Sequence, residues 1–330
     1  MVIHTYRVQD GRTVSSRWNG EAVPEDATWI DLLAPTAPEL ALIGPALGVD
    51  APTDEEMKDI EISSRLYREG GSTYMVVSVV EQSFTDHPRA SATTFIIAPK
   101  HLITVRYADT HAFETFTQRV TRQPSLITNA DAAFVNLIEA HVDRAGDILK
   151  HCAGGLTPLN KQVFSPRVAR KKKKGDHHEA HNLRELMRRI GITGNLSGLV
   201  HDSLVSIKRT LVFYRDTVQT QSSNALTPRV DILLRDIDSL TEYANHLSHK
   251  VSFMLDATLG MVNAEQNQII KIFSVVAVVF LPPTLIASIY GMNFTFMPEL
   301  SSQLGYPLAL ALMAASAVGP YLLFKHKGWV

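Results

Sequence analysis

Cysteine is nearly absent: Cys152 is the only one in 330 residues. An intrachain disulfide is therefore impossible, and a four-cysteine zinc site is excluded. Doing without disulfides fits a reducing compartment, and Cys152 itself reads as a small buried hydrophobe. The N-terminal "MVIHTYRVQDG" lacks the apolar core of a signal peptide. Catalytic motifs are missing too. There is no Walker loop and no dinucleotide-binding fingerprint after a strand, and no nucleophile elbow, so the expectation is that the protein is not an enzyme. Charge is missing from the chain's end: between Ile272 and Phe324, Glu299 is the only charged residue. A formal net charge of −1 hides that asymmetry and says little about partners.

What stands in that charge-poor region is two apolar runs, "IFSVVAVVFLPPTLIASIY" (Ile272 to Tyr290) and "LGYPLALALMAASAVGPYLLF" (Leu304 to Phe324). About 20 apolar residues span a bilayer core as a helix. Two such runs so close together predict a membrane hairpin rather than a pair of soluble core helices. Lys271 precedes the first run, Lys325, His326 and Lys327 follow the second, and the connecting loop has no Lys or Arg. The positive-inside rule then puts both termini in the cytoplasm. Pro282 and Pro283 interrupt the first run; proline removes a backbone donor and loosens a helix, which a plain anchor does not need.

The first run carries a stripe. Asn267, Ser274, Leu281 and Ser288 recur seven apart, and Ile270, Ala277, Thr284 and Gly291 follow three residues later. Phe273, Val275, Val276, Val278, Val279, Phe280 and Ile286 fall on other faces. Small and hydroxyl residues along one seam suit either close helix packing or a pore wall shared between subunits. Upstream, Leu233, Ile237, Leu240, Leu247 and Val251 keep helical spacing, and no proline follows Pro228 until Pro282. One helix is expected from about Pro228 to Tyr290, with Thr227 as its N-cap.

The first 110 residues read as mixed α/β. "VIHTYRV", "ATWIDL", "TYMVVSVVE", "ATTFIIA" and "HLITVRY" are strand-length β-branched runs, with turns at Gly70–Gly71 and Ala98–His101. Thr36 and Glu39 have capping-box spacing. From about Asn129 the chain reads as long helices. The division expected is an α/β domain over 1–125, a helical stalk region over 126–268, and a two-helix membrane domain over 269–330 with an extracytoplasmic loop at 291–303.

Three local clusters have both a bland and a sharper meaning. "RVARKKKKG" (Arg167 to Gly175) suits acidic lipid or nucleic acid, but without interleaved aromatics it reads as a solvated turn, and no nucleic-acid partner is expected. His177 and His181 in "DHHEAH" are one turn apart, a possible metal pair lacking a fixed third ligand. Asp54, Glu55, Glu56, Asp59 and Glu61 suit a hard cation, but an acidic helix start is the commoner meaning. Asp236 and Asp238 pose the same choice.

Between the two runs stands "YGMNFTFMPEL", Tyr290 to Leu300. Gly291 is suited to end a helix in the left-handed conformation. Asn293 is either a helper of that cap or an uncharged oxygen ligand. Mg2+ sheds water reluctantly and is often held through it. A ring of amide oxygens at a pore mouth can sort hydrated ions without trapping them, and Glu299 would concentrate cations nearby.

These residues resemble the CorA family of magnesium channels and transporters. The resemblance is carried by Gly291-Met292-Asn293 after Tyr290, "MPEL" at Met297 to Leu300, "GYP" at Gly305 to Pro307 and the basic end "KHKGW". It is strongest from Gln266 to Val330, where it looks like the enterobacterial branch, and weaker but consistent upstream at "IEISSR" and "RDIDSL". It implies a membrane α-helical protein with a cytoplasmic α/β domain, two transmembrane helices per subunit, a long stalk helix and a funnel-shaped homopentamer in the inner membrane. It implies Mg2+ uptake, with Mg2+ also a regulatory ligand and Co2+ or Ni2+ as lesser substrates. Asn293 matches the selectivity asparagine, with Gly291 and Met292 beside it and Tyr290, Phe294 and Glu299 in the loop. Asn267, Ile270, Leu281, Thr284 and Ser288 match pore-facing positions, and Ser274 shares their stripe. The resemblance also implies gating through divalent ions bound by cytoplasmic acids between subunits, for which Asp256, and after it Asp236, are the nearest candidates. Thr295 departs from the acid many relatives carry there, and "RKKKKGDHHEAH" has no counterpart. The alternatives are Zn2+ or Co2+/Ni2+ transport by the same architecture, or a membrane-anchored sensor that moves no ion.

Overall fold

The computed structural model describes residues 2–18, 25–59, 65–164, 177–219, 226–292, 302 and 304–329. They fall into two units, Met1–Leu255 and Asp256–Val330.

The first unit is built on one seven-stranded sheet. Its strands are β1 (Val2–Gln9), β2 (Arg12–Arg17), β3 (Trp29–Leu33), β4 (Leu66–Glu69), β5 (Ser72–Glu81), β6 (Arg89–Ile97) and β7 (Leu102–Arg106). The order across the sheet is β2-β1-β3-β7-β6-β5-β4. Only β3 and β7 pair in parallel, with Trp29 opposite Leu102 and Leu33 opposite Arg106. All five strands expected from the sequence are present. Two more, β2 and β4, were not foreseen. Both are short edge strands with exposed or half-buried side chains, so neither has an apolar run to betray it. The turn before β5 forms at Gly70 and Gly71, with φ of 58° and 83°, values glycine reaches without steric cost.

Strand alternation gives the sheet two apolar faces. Ile30 and Leu32 of β3 and Ile103 and Val105 of β7 share one core cluster with Leu40 and Ile43 of α1 (Ala37–Leu47) and Met57 of α2 (Asp54–Asp59). Both helices open with capping boxes. The Glu39 carboxylate accepts from the Thr36 N–H and hydroxyl, each at 2.7 Å, and Glu56 accepts likewise from Thr53 at 2.8 and 2.9 Å. These bonds hold both carboxyls below the usual carboxylate range. The acidic cluster at Asp54–Glu56 is thus a helix start; Glu61 lies outside the described residues.

The opposite face is aromatic. Trp29 stacks on Tyr6 at 4.3 Å and meets Phe116 of α3 (His111–Arg122) edge-on at 5.2 Å. Helix α3 was not foreseen. Helix α4 (Ala130–Phe164) packs on this face and against α5 (His177–Gln219): Phe134 touches Phe95 of β6 at 5.7 Å and Tyr214 of α5 at 4.8 Å, while α5 reaches the sheet itself, where the Ser203 hydroxyl donates to the Ser78 carbonyl of β5 at 2.7 Å. Burial on two sides explains why the first turns of α4 are apolar all round. Within this unit α6 (Thr227–Tyr290) packs on α5, where the Ser197 hydroxyl donates to the Ala244 carbonyl at 3.3 Å. A Cβ on Gly194 would come within 2.8 Å of Val251 Cγ1, so the two helices approach closely there.

The expected long helix is one 64-residue element, about 95 Å at 1.5 Å per residue. It opens one residue earlier than expected: the Leu226 carbonyl accepts from Arg229 and Val230, each at 3.0 Å, and Thr227 is already helical. In the second unit the end of α6 is joined by α7 (Gly305–His326). "GYP" forms the first turn of α7, with proline where its missing N–H is harmless. "KHKGW" ends it. Gly328 is left-handed at φ 69°, its N–H bonds to Lys325 O at 3.2 Å and that of Trp329 to Phe324 O at 3.0 Å, a Schellman close.

Candidate functional site

Helices α6 and α7 are the two described helices long and apolar enough to cross a membrane, and only 6% of each apolar window is buried. That figure separates them from core helices of a soluble protein, which would be mostly covered. Each has one sheltered face. On α6, Val275 is buried and Val279, Pro282, Pro283, Ile286 and Tyr290 are half-buried. On α7, Ala309 is buried and Gly305, Met313, Ser316, Ala317, Pro320 and Phe324 are half-buried. Small residues on a sheltered face let helices approach closely in lipid.

The stripe lies on the other side of α6. At about 100° per residue, Asn267, Ile270, Ser274, Ala277, Leu281, Thr284, Ser288 and Gly291 fall on one face, opposite the sheltered one. Every one of them is exposed. Isoleucine and leucine in the stripe are among the most open large apolar residues, with Ile270 at 61% and Leu281 at 65%. The stripe is therefore not the seam by which the two described spans are sheltered.

Helix α6 runs unbroken through Pro282 and Pro283. Each proline lacks the N–H that would bond four residues back, which leaves the Val278 and Val279 carbonyls without helical donors. One turn on, the Thr284 hydroxyl donates to Phe280 O at 2.6 Å. With its proton used there, Thr284 offers oxygen lone pairs to whatever faces the stripe. The helix end differs from expectation. Gly291 is not left-handed; its N–H bonds to Ala287 O at 2.9 Å, and the turn tightens as Met292 N–H bonds to Ile289 O at 3.2 Å. Helical geometry thus carries the stripe to Gly291. Asn293, Phe294 and Glu299 lie outside the described residues, as do the basic run 167–175 and the side chains of His177 and His181.

The expected regulatory acids are both exposed on α6, Asp236 in the first unit and Asp256 at the start of the second. Asp238 is committed to an ion pair with Lys208 of α5. Among the described residues no group of three or more His, Cys, Asp or Glu is placed to hold a metal ion. Asp236 and Asp256 are therefore single-carboxylate positions in one chain. Cys152 is buried and its thiol is pushed up to about 11 by burial, as befits an inert packing residue.

Comparison with known proteins agrees with this arrangement. The family model described as "CorA-like Mg2+ transporter protein" matches residues 24–326. Magnesium transport protein CorA of Pasteurella multocida is 31% identical over 329 residues, covering 100% of both chains. Magnesium transport protein CorA of Yersinia pseudotuberculosis is 34% identical over 302 residues, 92% of each. Among solved structures, the complete CorA magnesium transporter of Methanocaldococcus jannaschii superposes with a TM-score of 0.74 at 20% identity, covering 100% of this chain and 99% of that one. An α/β unit, a long helix, two apolar helices and a family match over nine-tenths of the sequence lead to one assignment: the chain belongs to the CorA-like Mg2+ transporter family.

Proposed function

We propose that this chain is the subunit of a homopentameric Mg2+ channel of the inner membrane, with both termini in the cytoplasm. The observation that carries the reading is the exposed stripe of α6, which leads helically to Gly291 and Met292 on the side opposite the sheltered face. Symmetry-related copies would turn that stripe inward as a pore wall. Asn267, Ser274, Thr284 and Ser288 would supply oxygens to a hydrated ion. Ile270 and Leu281 would be apolar constrictions that close by dewetting. Asn293 would hold the ion through its water shell, with Tyr290 and Phe294 framing the loop and Glu299 raising the cation concentration outside. The domain division 1–125, 126–268 and 269–330 belongs to the same reading, the middle part acting as stalk.

The driving force is the membrane potential. An interior-negative potential contributes about 2.3 kcal/mol per charge per 100 mV, hence about 4.6 for Mg2+. Gating follows from the lone acids. Asp256 and Asp236 each offer one carboxylate per chain, so a bound Mg2+ would draw ligands from two subunits and hold the stalks together when the cell is replete. Loss of that ion would free the stalks and open the pore.

The test is flux into liposomes carrying the full-length protein and a Mg2+-sensitive dye, under an interior-negative potential. Rapid Mg2+ entry blocked by cobalt hexammine, a stable mimic of hydrated Mg2+, is the expected result. Entry of Zn2+ or Co2+ without Mg2+ would move the substrate to those ions. No entry of any ion from intact oligomers would leave a sensor.

A further inference from the structure

A cavity of about 350 Å³ lies among α3, the 3-10 turn Pro124–Ile127, α4 and the first turn of α6, wholly within the first unit. Three guanidinium groups line it, Arg119, Arg122 and Arg229, against one carboxylate, Glu139. Arg229 is paired with Glu139, and Arg119 bonds to Asp143 at 3.2 Å. Arg122 makes no ion pair among the described residues and is exposed on the last turn of α3. The cavity is therefore cationic, with one fork of donors uncommitted.

A second feature sets it apart from a basic surface. Asn136 of α4 lines the same cavity and is only 5% exposed. Its Nδ2 donates to Leu126 O at 2.8 Å and Ala132 O at 2.7 Å. Two carbonyl partners fix the amide's orientation, since a flip would set oxygen against oxygen. The remaining atom, Oδ1, is buried with no hydrogen-bond partner. Buried acceptors are rarely left so. The cavity thus combines guanidinium donors, which suit phosphate geometry, with one acceptor that calls for an O–H. Hydrogen phosphate carries both an anionic face and a proton to donate. Sulfate carries the charge without the proton.

We propose that this cavity is a phosphate site, in which Arg122 and Arg119 hold the anionic oxygens and Asn136 Oδ1 accepts the phosphate O–H. The volume is on the scale of small-ligand pockets and exceeds what one phosphate ion fills, so a phosphate monoester with a hydroxyl-bearing organic group shares the chemistry. Arg229 stands in the first turn of α6. An occupied site would tie that turn to α3 and α4, independently of how ions cross the membrane.

The experiment is calorimetric titration of the full-length protein in detergent, at pH 7.5, constant ionic strength and without Mg2+. The probes are inorganic phosphate, sulfate and glycerol 3-phosphate. Phosphate is expected to bind at least tenfold more tightly than sulfate, because a site built to accept a hydroxyl rejects the analogue without it. Arg122→Gln is expected to weaken phosphate binding at least tenfold with the unfolding temperature unchanged. Tighter binding of glycerol 3-phosphate than of phosphate assigns the site to esters, and weaker binding assigns it to the free ion; both support it. Equal affinity for phosphate and sulfate, no phosphate binding at millimolar concentration, or an Arg122→Gln variant with unaltered affinity would each overturn the proposal.

Discussion

Arg106 of β7 grips both carboxylate oxygens of Asp31 on the parallel neighbour β3, Nη2 to Oδ2 at 2.9 Å and Nε to Oδ1 at 3.1 Å. Both side chains are almost fully covered, at 6% and 1% exposed. The pair is tied into the sheet. Thr104 donates to Asp31 at 2.7 Å, Trp29 donates to Thr104 at 3.0 Å, and Arg106 also reaches Asp109 at 2.7 Å while lying over the Phe113 ring at 4.3 Å. Removing one partner strands the other charge. Asp31→Ala is expected to destabilise the protein by about 3–5 kcal/mol. The double variant Asp31→Leu/Arg106→Met is expected to lose much less, because no charge is left buried. Urea denaturation followed by tryptophan fluorescence measures both, and equal losses would contradict the account.

His141 of α4 lies in the same layer. Its ring meets Phe113 edge-on at 5.2 Å and its Nδ1 faces Leu137 O at 2.9 Å, while Nε2 is buried without a partner. Burial first, and Arg106 nearby second, push the imidazole down to about 4. Between the ordinary histidine value and that one, the unfolded chain takes up a proton the folded chain refuses. Stability is thus complete above about pH 6.5 and falls as pH drops towards 4, by up to about 3 kcal/mol. His141→Leu should flatten that part of the pH–stability curve. Carboxylates such as Glu39 and Glu56, held low by their caps, also lose stability in acid, so the quantity to compare is the difference between wild type and variant.

Glycines on α5 should respond oppositely to alanine. Gly198 has nothing within 4 Å of an added Cβ, whereas Gly194 meets Val251 at 2.8 Å. Gly198→Ala is expected to stabilise by up to about 1 kcal/mol through helix propensity. Gly194→Ala should forfeit that gain and cost about 1–3 kcal/mol from overpacking, with relief when Val251 is also shortened to Ala. Thermal unfolding of the three variants decides the matter.

On the proposed pore wall, Leu281→Ser should raise Mg2+ entry at low driving potential, since a wetted constriction no longer closes. The same change at Phe273, off the stripe, should leave the flux profile unaltered. If both variants behaved alike, the stripe would have no special standing.

Legibility in the sequence followed the strength of each pattern. Apolar runs of bilayer length announced themselves by their length and lack of charge, and β-branched central strands such as "LITVR" did so because burial on two faces leaves few polar residues in them. The Thr36–Glu39 cap was readable because its two residues are local. Edge strands β2 and β4 were missed for the opposite reason: their side chains are exposed or only half-buried, so no apolar run marks them. Helix α3 buries only Ala112, Phe113, Phe116 and Val120, a thin stripe among polar residues. Gly291 fitted a left-handed cap on residue type alone, yet the helix end tightens with the chain still right-handed. The pairing of Asp31 with Arg106 and the meeting of Arg122 with Asn136 depend on which elements become neighbours, and no short-range pattern states that. A hint existed only for the cavity, in Arg119 and Arg122 one helical turn apart.

The parallel junction of β3 with β7 also sets an order of events during synthesis. Trp29 has no central neighbour until Leu102 has been made, so the sheet cannot close early. Once Arg106 has emerged, however, about 165 residues still separate it from Ile272, where the first apolar span begins. At about 5–20 residues per second the ribosome needs roughly 10–30 s for that stretch, long beside the millisecond-to-second folding of mixed sheets. The sheet is therefore complete while the segment that will enter lipid does not yet exist. A ribosome halted before Ile272 would already carry a finished α/β sheet, before either apolar span has been made.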